Sequence, residues 1–392
     1  MELTNPPADQ SPSPHALGTL LPVFLYFLAA GVATVMLGPL LPSLIRRWQI
    51  QDAQAGTLFT ASFVGQFCGA WFATRNLRMS VISGSAMTAA GCVAMAWASF
   101  GLAHFALFAV GLGLGAGLTA GNVIAGTVVP SARARLIAAL NIAWGLGAIA
   151  CPLLVQLSSA RGPQAFFLST AVFVGVTSIA TVAIPQLTRT TIGQRTSHSP
   201  AMQESMTKSE LPLHPLPVLL FAAAIFIYVG VENALAGWLP TYAVRSNPAL
   251  HPSSISLYFW MSELTGRVVV IALMSLIGDA VLYRLCVMIL ICTQIVLCTV
   301  APISAAGVVV LTVVAALSLA PLYPLITSFL LARTGNHAKL GVLFACASLG
   351  GAILPWLTGA VSTHFHGLRA GLLVPAVGAL LLLFLSRVLT AK

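Results

Sequence analysis

Two carboxylic acids lie in stretches of sequence that are otherwise apolar enough to sit in hydrocarbon. Glu232 occurs in YVGVENALAGWLPTY (228–242), and Glu263 occurs in WMSELTGR (260–267). A charged side chain at the centre of a bilayer costs about 2.5–3.5 kcal/mol on insertion scales, and such residues usually mark a solute or ion pathway. Both acids are therefore predicted to be functional, as proton-coupling groups.

Glu232 has no basic residue three or four positions away on its own helix. Tyr228 shares its helical face, and Asn233 and Trp238 flank that face. Because burial favours the protonated form of a carboxyl group, Glu232 could load and release a proton as its surroundings alternate between wet and dry. The alternative is a static hydrogen bond or an ion pair, with Arg267 as the candidate partner.

Glu263 and Arg267 share a helical face with Trp260, and the acid stands N-terminal to the base in the favourable order. One interpretation is a structural pair that neutralises itself. The other assigns Arg267 a gating role, or the role of orienting a carboxylate.

Further polar residues stand where a transport path could use them. The run GLGLGAGLTAGN (111–122) resembles a dinucleotide loop, but it lies inside a predicted membrane span, where small residues indicate helix packing. The two prolines of APLYPL (320–325) predict a kink that frees carbonyls, which then need a polar cavity or a neighbouring helix. Span 5 carries Asn141 and Trp144, and an aromatic ring beside an amide is typical of sugar binding. The alternative for Trp144 is a lipid-facing or interfacial position. The alternative for Asn122 is a hydrogen bond between helices. The predicted substrate-binding set is Gln66, Asn122, Asn141, Trp144, Glu232, Asn233, Trp238, Glu263 and Tyr323.

The elements that carry these residues must be membrane helices. Of 392 residues, 58% are hydrophobic and 7% are charged, whereas soluble domains carry about 25% charged residues. Spans of about 20 apolar residues predict an all-α polytopic protein with twelve transmembrane helices in two pseudo-symmetric halves. The predicted spans are 17–41, 52–74, 79–99, 101–129, 132–157, 165–185, 215–243, 252–277, 280–299, 302–332, 338–362 and 368–388.

The longest polar gap divides the spans six and six. We expect a disordered cytoplasmic tail (1–16), a first half (17–185), a cytoplasmic linker (186–214) and a second half (215–392). With both termini cytoplasmic, twelve Lys and Arg residues lie inside and five outside, which obeys the positive-inside rule. Arg46 and Arg47 on the outer side are discordant. The expected location is the inner cell membrane.

The two halves resemble each other in their glycine patterns. GVATVMLGPLLP (31–42) aligns with GVENALAGWLP (230–240), and GAIACP (147–152) aligns with GAILP (351–355). Such repeats are typical of transporters that alternate access by rocking one half against the other. Glu232 aligns with Ala33, so the carboxylate is not part of the repeated scaffold.

Other classes of protein fit less well. The formal charge of +10 is spread singly through short loops, which argues against nucleic-acid binding, and the seven cysteines lie in apolar runs with no C-x-x-C pair. His364 and His366 are the only close histidine pair, without a nearby acid, so a metal site or a membrane-embedded enzyme is disfavoured. We expect no cofactor and a monomer, with the lipid bilayer, a small solute and a coupling ion as partners.

With these residues in view, the chain resembles the major facilitator superfamily of transporters. AWFATRNLR (70–78) is similar to that family's G-x-L-A-D-R-x-G-R motif and assigns gating roles to Arg75 and Arg78. The matching positions are Ala73, Arg75 and Arg78, while Ala70, Thr74 and Leu77 replace Gly, Asp and Gly. Within the superfamily, YVGVENALAGWLPTY, FWMSELTGR and LNIAWGLGAIACPLL are most similar to the group of fucose–proton symporters and glucose/galactose transporters.

The resemblance implies alternating access and uptake of a monosaccharide driven by protons or sodium. Fucose symporters use acids in spans 1 and 4. In this chain span 1 has no acid and span 4 has Asn122 instead, so proton coupling would rest on Glu232 or Glu263, or be absent. The alternatives are a proton-driven exporter of drugs or metabolites and, in another class, a nutrient receptor that does not transport.

Overall fold

A computed structural model describes the backbone of residues 14–73, 76–128, 132–182, 215–274, 276–334 and 340–390. Its regular structure is α-helical, apart from one 3-10 turn at Ser159–Arg161. The helices are α1 (Pro14–Val35), α2 (Leu37–Trp48), α3 (Asp52–Phe72), α4 (Leu77–Trp97), α5 (Phe100–Val128), α6 (Arg133–Ser158), α7 (Pro163–Thr181), α8 (Pro215–Ser246), α9 (Pro252–Leu273), α10 (Asp279–Thr299), α11 (Ala305–Leu319), α12 (Leu322–Thr334), α13 (Leu340–His364), α14 (Leu368–Gly371) and α15 (Leu373–Leu389).

The helices match the twelve predicted spans. Within the described residues, eight helices are long and apolar enough to cross a bilayer, and the bent pair α1 and α2 makes a ninth. The three others, α3, α9 and α13, are 21, 22 and 25 residues long, which is sufficient for a span. The all-α architecture of twelve membrane helices is confirmed. The predicted linker lies outside the described residues, as do residues 1–13 of the predicted N-terminal tail, whereas α1 begins at Pro14, inside that tail.

Three spans are broken in ways that sequence reasoning anticipated only in part. The tenth is interrupted between α11 and α12 at Ala320 and Pro321, as expected because proline cannot donate to the helical hydrogen-bond ladder. The twelfth is divided between α14 and α15, and the first bends by 41° between α1 and α2. Neither of these last two breaks was predicted.

The predicted end of the first span at residue 41 is wrong. α2 continues to Trp48, where Gln49 ends it with a left-handed φ of 51°. Arg46 and Arg47 lie in its last turn, where positive charge complements the helix dipole. Arg47 also donates to the carbonyl of Ala96 and Trp48 to that of Ala98. The hydrogen bond to Ala96 gives Arg47 a structural role.

Glycines set the closest helix crossings within each half. A Cβ built on Gly31 would lie 2.0 Å from the Trp144 carbonyl oxygen of α6, and one on Gly350 would lie 1.9 Å from the Phe226 carbonyl oxygen of α8. In the run 111–122, a Cβ on Gly111 or Gly115 would likewise strike the backbone of α3. The predicted packing role of this glycine run is confirmed.

The two halves contact each other on the side that the sequence predicts to be outer. There α2 packs on α8 and α3 packs on α13, while α6 meets α9 nearer the middle. The Thr60 hydroxyl of α3 donates to the Ala352 carbonyl of α13 at 2.9 Å. On the opposite side, Asn141 and Ile142 of α6 are exposed. The contacts between the halves among the described residues thus concentrate on the predicted outer side.

Candidate functional site

Glu232 lies in the middle of α8 and is 8% exposed. The Tyr228 hydroxyl, one helical turn away, donates a hydrogen bond of 2.6 Å to its Oε1. Tyr228 is itself buried, and its ring lies 5.7 Å from the ring of Tyr323, which is in the first turn of α12. The break in the tenth span therefore brings Tyr323 beside Tyr228, the hydrogen-bond donor of Glu232.

Arg267 of α9 is shared by both intramembrane acids. Its Nη2 lies 2.5 Å from Glu263 Oε1 and 3.5 Å from Glu232 Oε1. The structure thus contains both the pair predicted within α9 and the ion pair to Arg267 that was the alternative for Glu232.

The charges in this group do not balance. One guanidinium faces two carboxyl groups, so the group carries one excess negative charge when both acids are ionised and none when one is protonated. Buried charges require a partner because the loss of hydration costs several kcal/mol per ion. A proton bound to either acid is therefore sufficient to neutralise the group.

Aromatic side chains from both halves border the charged group. Trp144 of α6 lies edge-on to Trp260 of α9, with ring centroids 5.6 Å apart. The Arg267 guanidinium carbon lies 6.0 Å from the centroid of the Trp144 ring, within the range of a cation–π interaction. Trp144 thus links the first half to the charged residues of the second.

A small cavity lies between the halves beside Trp260. Its volume is about 10 Å³, which is room for about one water molecule. Thr34, Gly38 and Phe59 from the first half and Asn233 and Gly237 from the second line it. Because the cavity is too small for a sugar, this part of the path is closed.

The other predicted amides lie outside the hydrogen-bonded group of Glu232. Asn141 is exposed and donates to the Ile137 carbonyl of its own helix, and Asn122 donates to that of Leu118. Asn122 Oδ1 and Gln66 Nε2 are buried without a hydrogen-bond partner. These two unsatisfied groups are available to a solute or to water.

Trp238 also lies apart from the charged group. It is fully buried and donates its indole N–H to the Pro355 carbonyl of α13 at 2.8 Å. Its ring packs near Phe59 of the first half, 6.3 Å away. In this conformation Trp238 lies at the contact between the halves on the predicted outer side.

The predicted gating arginines have different surroundings. Arg75 lies outside the described residues. Arg78 donates to the Val182 carbonyl and thereby joins the start of α4 to the end of α7 within the first half. Its Nε is buried without a hydrogen-bond partner.

Sequence reasoning missed an ion pair between the halves. Arg245 donates two hydrogen bonds of 2.7 Å to Asp52, one to each carboxylate oxygen. Asp52 lies in the first turn of α3 and Arg245 in the last turn of α8, where each complements its own helix dipole. That placement was visible in the sequence, but the pairing was not, because 193 positions separate the two residues.

Solved structures with the same fold include several transporters. The structure of a partially occluded, inward-open xylose transporter, XylE from E. coli, aligns with a TM-score of 0.75 at 14% identity, over 96% of this chain and 100% of that one. The nucleoside transporter NupG aligns with a TM-score of 0.75 at 13% identity and the same coverage. FucP in an outward conformation aligns with a TM-score of 0.63 at 19% identity, again over 96% and 100%. At these identities the likeness shows the fold alone.

No curated protein sequence matches the chain significantly. The family model of the Major Facilitator Superfamily matches residues 23–339, which is most of the chain. With the twelve-span fold, this match establishes a multi-pass membrane transporter rather than an enzyme. The chain belongs to the major facilitator superfamily.

Proposed function

We propose that the protein takes up a neutral polyhydroxylated solute, most simply a monosaccharide, together with a proton. The observation that carries this proposal is the sharing of Arg267 between Glu232 and Glu263, beside an aromatic pair contributed by both halves. The described residues thus combine an ionisable group with sugar-binding chemistry at the place where the halves meet.

The excess carboxylate supplies the coupling. When both acids are ionised, moving the group between wet and dry surroundings exposes an unbalanced charge to low dielectric. A proton on Glu232 or Glu263 removes that charge, so the halves rock more readily when the group is protonated. Release of the proton to the inner side then resets the group.

The solute is bound by the same residues. Hydroxyl groups donate to carboxylate oxygens and accept from guanidinium N–H groups, and Arg267 Nε is buried without a hydrogen-bond partner. The faces of Trp144 and Tyr323 offer apolar contact to sugar C–H groups. Four amides complete the site when the halves close on the predicted inner side: Gln66 and Asn122 through their unsatisfied atoms, and Asn141 and Asn233.

The residues of α6 are the sharpest test of this site. Asn141→Ala and Trp144→Ala should each weaken solute binding while leaving folded protein in the membrane. If both variants bind with the parental affinity in a thermal-shift titration, α6 does not belong to the site.

A second candidate, proton-driven export of an organic cation, is supported by the same excess charge. Four aromatic residues, Trp144, Tyr228, Trp260 and Tyr323, lie around the acids, and aromatic faces attract cations. A cation would compete with the proton for one net negative charge. Binding of one would therefore displace the other, as in an exchanger and not in a symporter.

Transport assays in proteoliposomes separate these functions. An acidic outer buffer should drive concentrative uptake of a labelled hexose, pentose or nucleoside, and a proton ionophore should abolish it; replacement of sodium should leave it unchanged. If a proton gradient instead drives a lipophilic cation in the opposite direction, the protein is an exchanger. Saturable binding without counterflow of any bound solute would identify a receptor.

A further inference from the structure

Four polar residues join the two halves at the predicted outer end. Asp52 accepts from Arg245 of α8 through both oxygens and from the Ser362 hydroxyl of α13 at 2.6 Å. One residue further on, the Ala53 amide donates to Thr363 Oγ1 at 2.8 Å. The first turn of α3 is therefore held by hydrogen bonds from two helices of the other half.

These contacts complete the N-terminus of α3. The first amides of a helix have no partner within it, and a hydroxyl oxygen is a common cap. Gln51 and Gln54 form a capping box on this helix, and Thr363 satisfies one more amide from outside it. Separation of the halves removes the contacts of Thr363, Ser362 and Arg245 at once.

The same contacts are able to open. Arg245 keeps 43% of its side chain exposed although Asp52 is buried, so water can replace the carboxylate. Each charge also retains the dipole of its own helix after separation. The ion pair is consequently suited to break and re-form in each transport cycle.

Glycines of both halves make the closure geometrically possible. A Cβ on Gly38 of α2 would lie 2.6 Å from the Ala236 carbonyl oxygen, and a Cβ on Gly237 would lie 2.6 Å from the Phe59 ring. A Cβ on Gly359 would lie 2.3 Å from the Asp52 carbonyl oxygen. A methyl group at any of these positions would hold the halves apart on this side.

We propose that Asp52, Arg245, Ser362 and Thr363 form an outer latch, and that its strength sets how often the protein opens to the outside. The residues of the latch lie at helix ends, away from the group around Arg267. The proposal rests on alternating access by the two halves and on no particular solute or coupling ion, so it can fail while the proposed function holds.

Thiol labelling of a Cys placed in the closed cavity tests the outer latch. Thr34 lines that cavity, so Thr34→Cys should react with a membrane-impermeant maleimide added outside only while the outer side is open. Asp52→Asn preserves volume but breaks the ion pair, and we expect labelling to become about tenfold faster, equivalent to about 1.4 kcal/mol. Ser362→Ala and Gly237→Ala should also make the labelling of Thr34→Cys faster. Protein that lacks Thr34→Cys gives the background from the native cysteines.

Matched controls separate the outer latch from general loosening. Arg46 lies at the same end without an ion pair among the described residues, and a Cβ on Gly101 would meet no atom within 4 Å. Arg46→Gln and Gly101→Ala should therefore stay within about twofold of the parent. If Asp52→Asn does not fold, Arg245→Gln, at a half-exposed position, replaces it. The proposal is overturned if Ser362→Ala is labelled at the parental rate and the folded charge variant, Asp52→Asn or Arg245→Gln, is too.

Discussion

At the scale of single residues, the central feature is that Arg267 serves two acids. Glu263 holds the nearer position and Glu232 the more distant one, while Tyr228 supplies Glu232 with a second donor. Removal of either acid therefore leaves Arg267 with a partner. Removal of Arg267 leaves two buried acids without a counter-ion, and this asymmetry distinguishes the following two variants.

Glu232→Gln should insert and fold normally because Arg267 keeps its contact with Glu263. Glutamine preserves the volume and much of the hydrogen bonding but removes the proton site. We therefore expect the loss of concentrative, pH-dependent uptake, measured in proteoliposomes, with Glu204→Gln in the polar stretch 186–214 as the control. If affinity falls but residual uptake keeps its pH response, Glu232 is a binding acceptor. Unchanged affinity and pH profile would assign it a structural role and direct the test to Glu263.

Arg267→Gln should be markedly destabilising because breaking a buried ion pair from one side costs about 3–5 kcal/mol. The double variant Glu263→Gln/Arg267→Gln removes one of the stranded acids and should recover much of that loss. Thermal unfolding can be followed with a thiol-reactive dye, since Cys92 and Cys151 are fully buried in the folded protein. A double variant no more stable than Arg267→Gln would contradict this account of the charges.

At the scale of helices, the equivalent crossings of the two halves are built alike. Gly31 of α1 meets Gly147 of α6, and Gly230 of α8 meets Gly350 of α13. By contact, Gly147 therefore corresponds to Gly350, one residue before the glycine chosen by sequence alignment. Gly351 instead faces Phe63 of the other half. A pair of adjacent glycines thus serves one contact within a half and one between the halves.

Gly147→Ala tests the crossing of α1 and α6. The added Cβ would lie 1.9 Å from the Leu28 carbonyl oxygen, and overpacking of this kind costs about 1–3 kcal/mol. Gly175→Ala of α7 is the matched control because its Cβ would meet nothing within 4 Å, and alanine favours a helix over glycine. In the dye assay, Gly147→Ala should melt below the parent and Gly175→Ala at or above it. Equal melting of the two variants would show that the crossing tolerates a methyl group.

At the scale of the whole molecule, the contacts between the two halves among the described residues gather at one end. The closed end carries the ion pair of Asp52 and Arg245, the buried Trp238 and the small cavity. Asn141 is exposed towards the other end. The distribution of basic residues predicts which end faces the cytoplasm, and on that basis the closed end is the outer one.

The orientation is open to direct measurement. With both termini and residues 186–214 cytoplasmic, reporter fusions to the linker should be active only as cytoplasmic reporters. An impermeant thiol reagent should reach a Cys in 186–214 only in inverted vesicles, whereas His251→Cys in the turn before α9 should be labelled in intact cells. Labelling of the linker from outside would invert the assignment of both ends.

The sequence by itself determined the membrane class, the twelve spans, the break at Pro321 and the acids placed within spans. These features depend on local hydropathy, proline chemistry and helical period, all of which are read from neighbouring residues. Helical period also placed Glu263 and Arg267 on one face, one turn apart. It correctly assigned the glycine run to packing because small residues allow close helix approach in lipid.

Only the tertiary structure decided what each of those faces meets. Arg267 lies 35 positions after Glu232 in sequence, and their contact depends on how α8 and α9 cross. Trp238, predicted to bind solute, donates to Pro355, and Asp52 pairs with a residue 193 positions away. Periodicity fixes the direction in which a side chain leaves its helix, but the partner is set by the packing of helices distant in sequence, which no local pattern records.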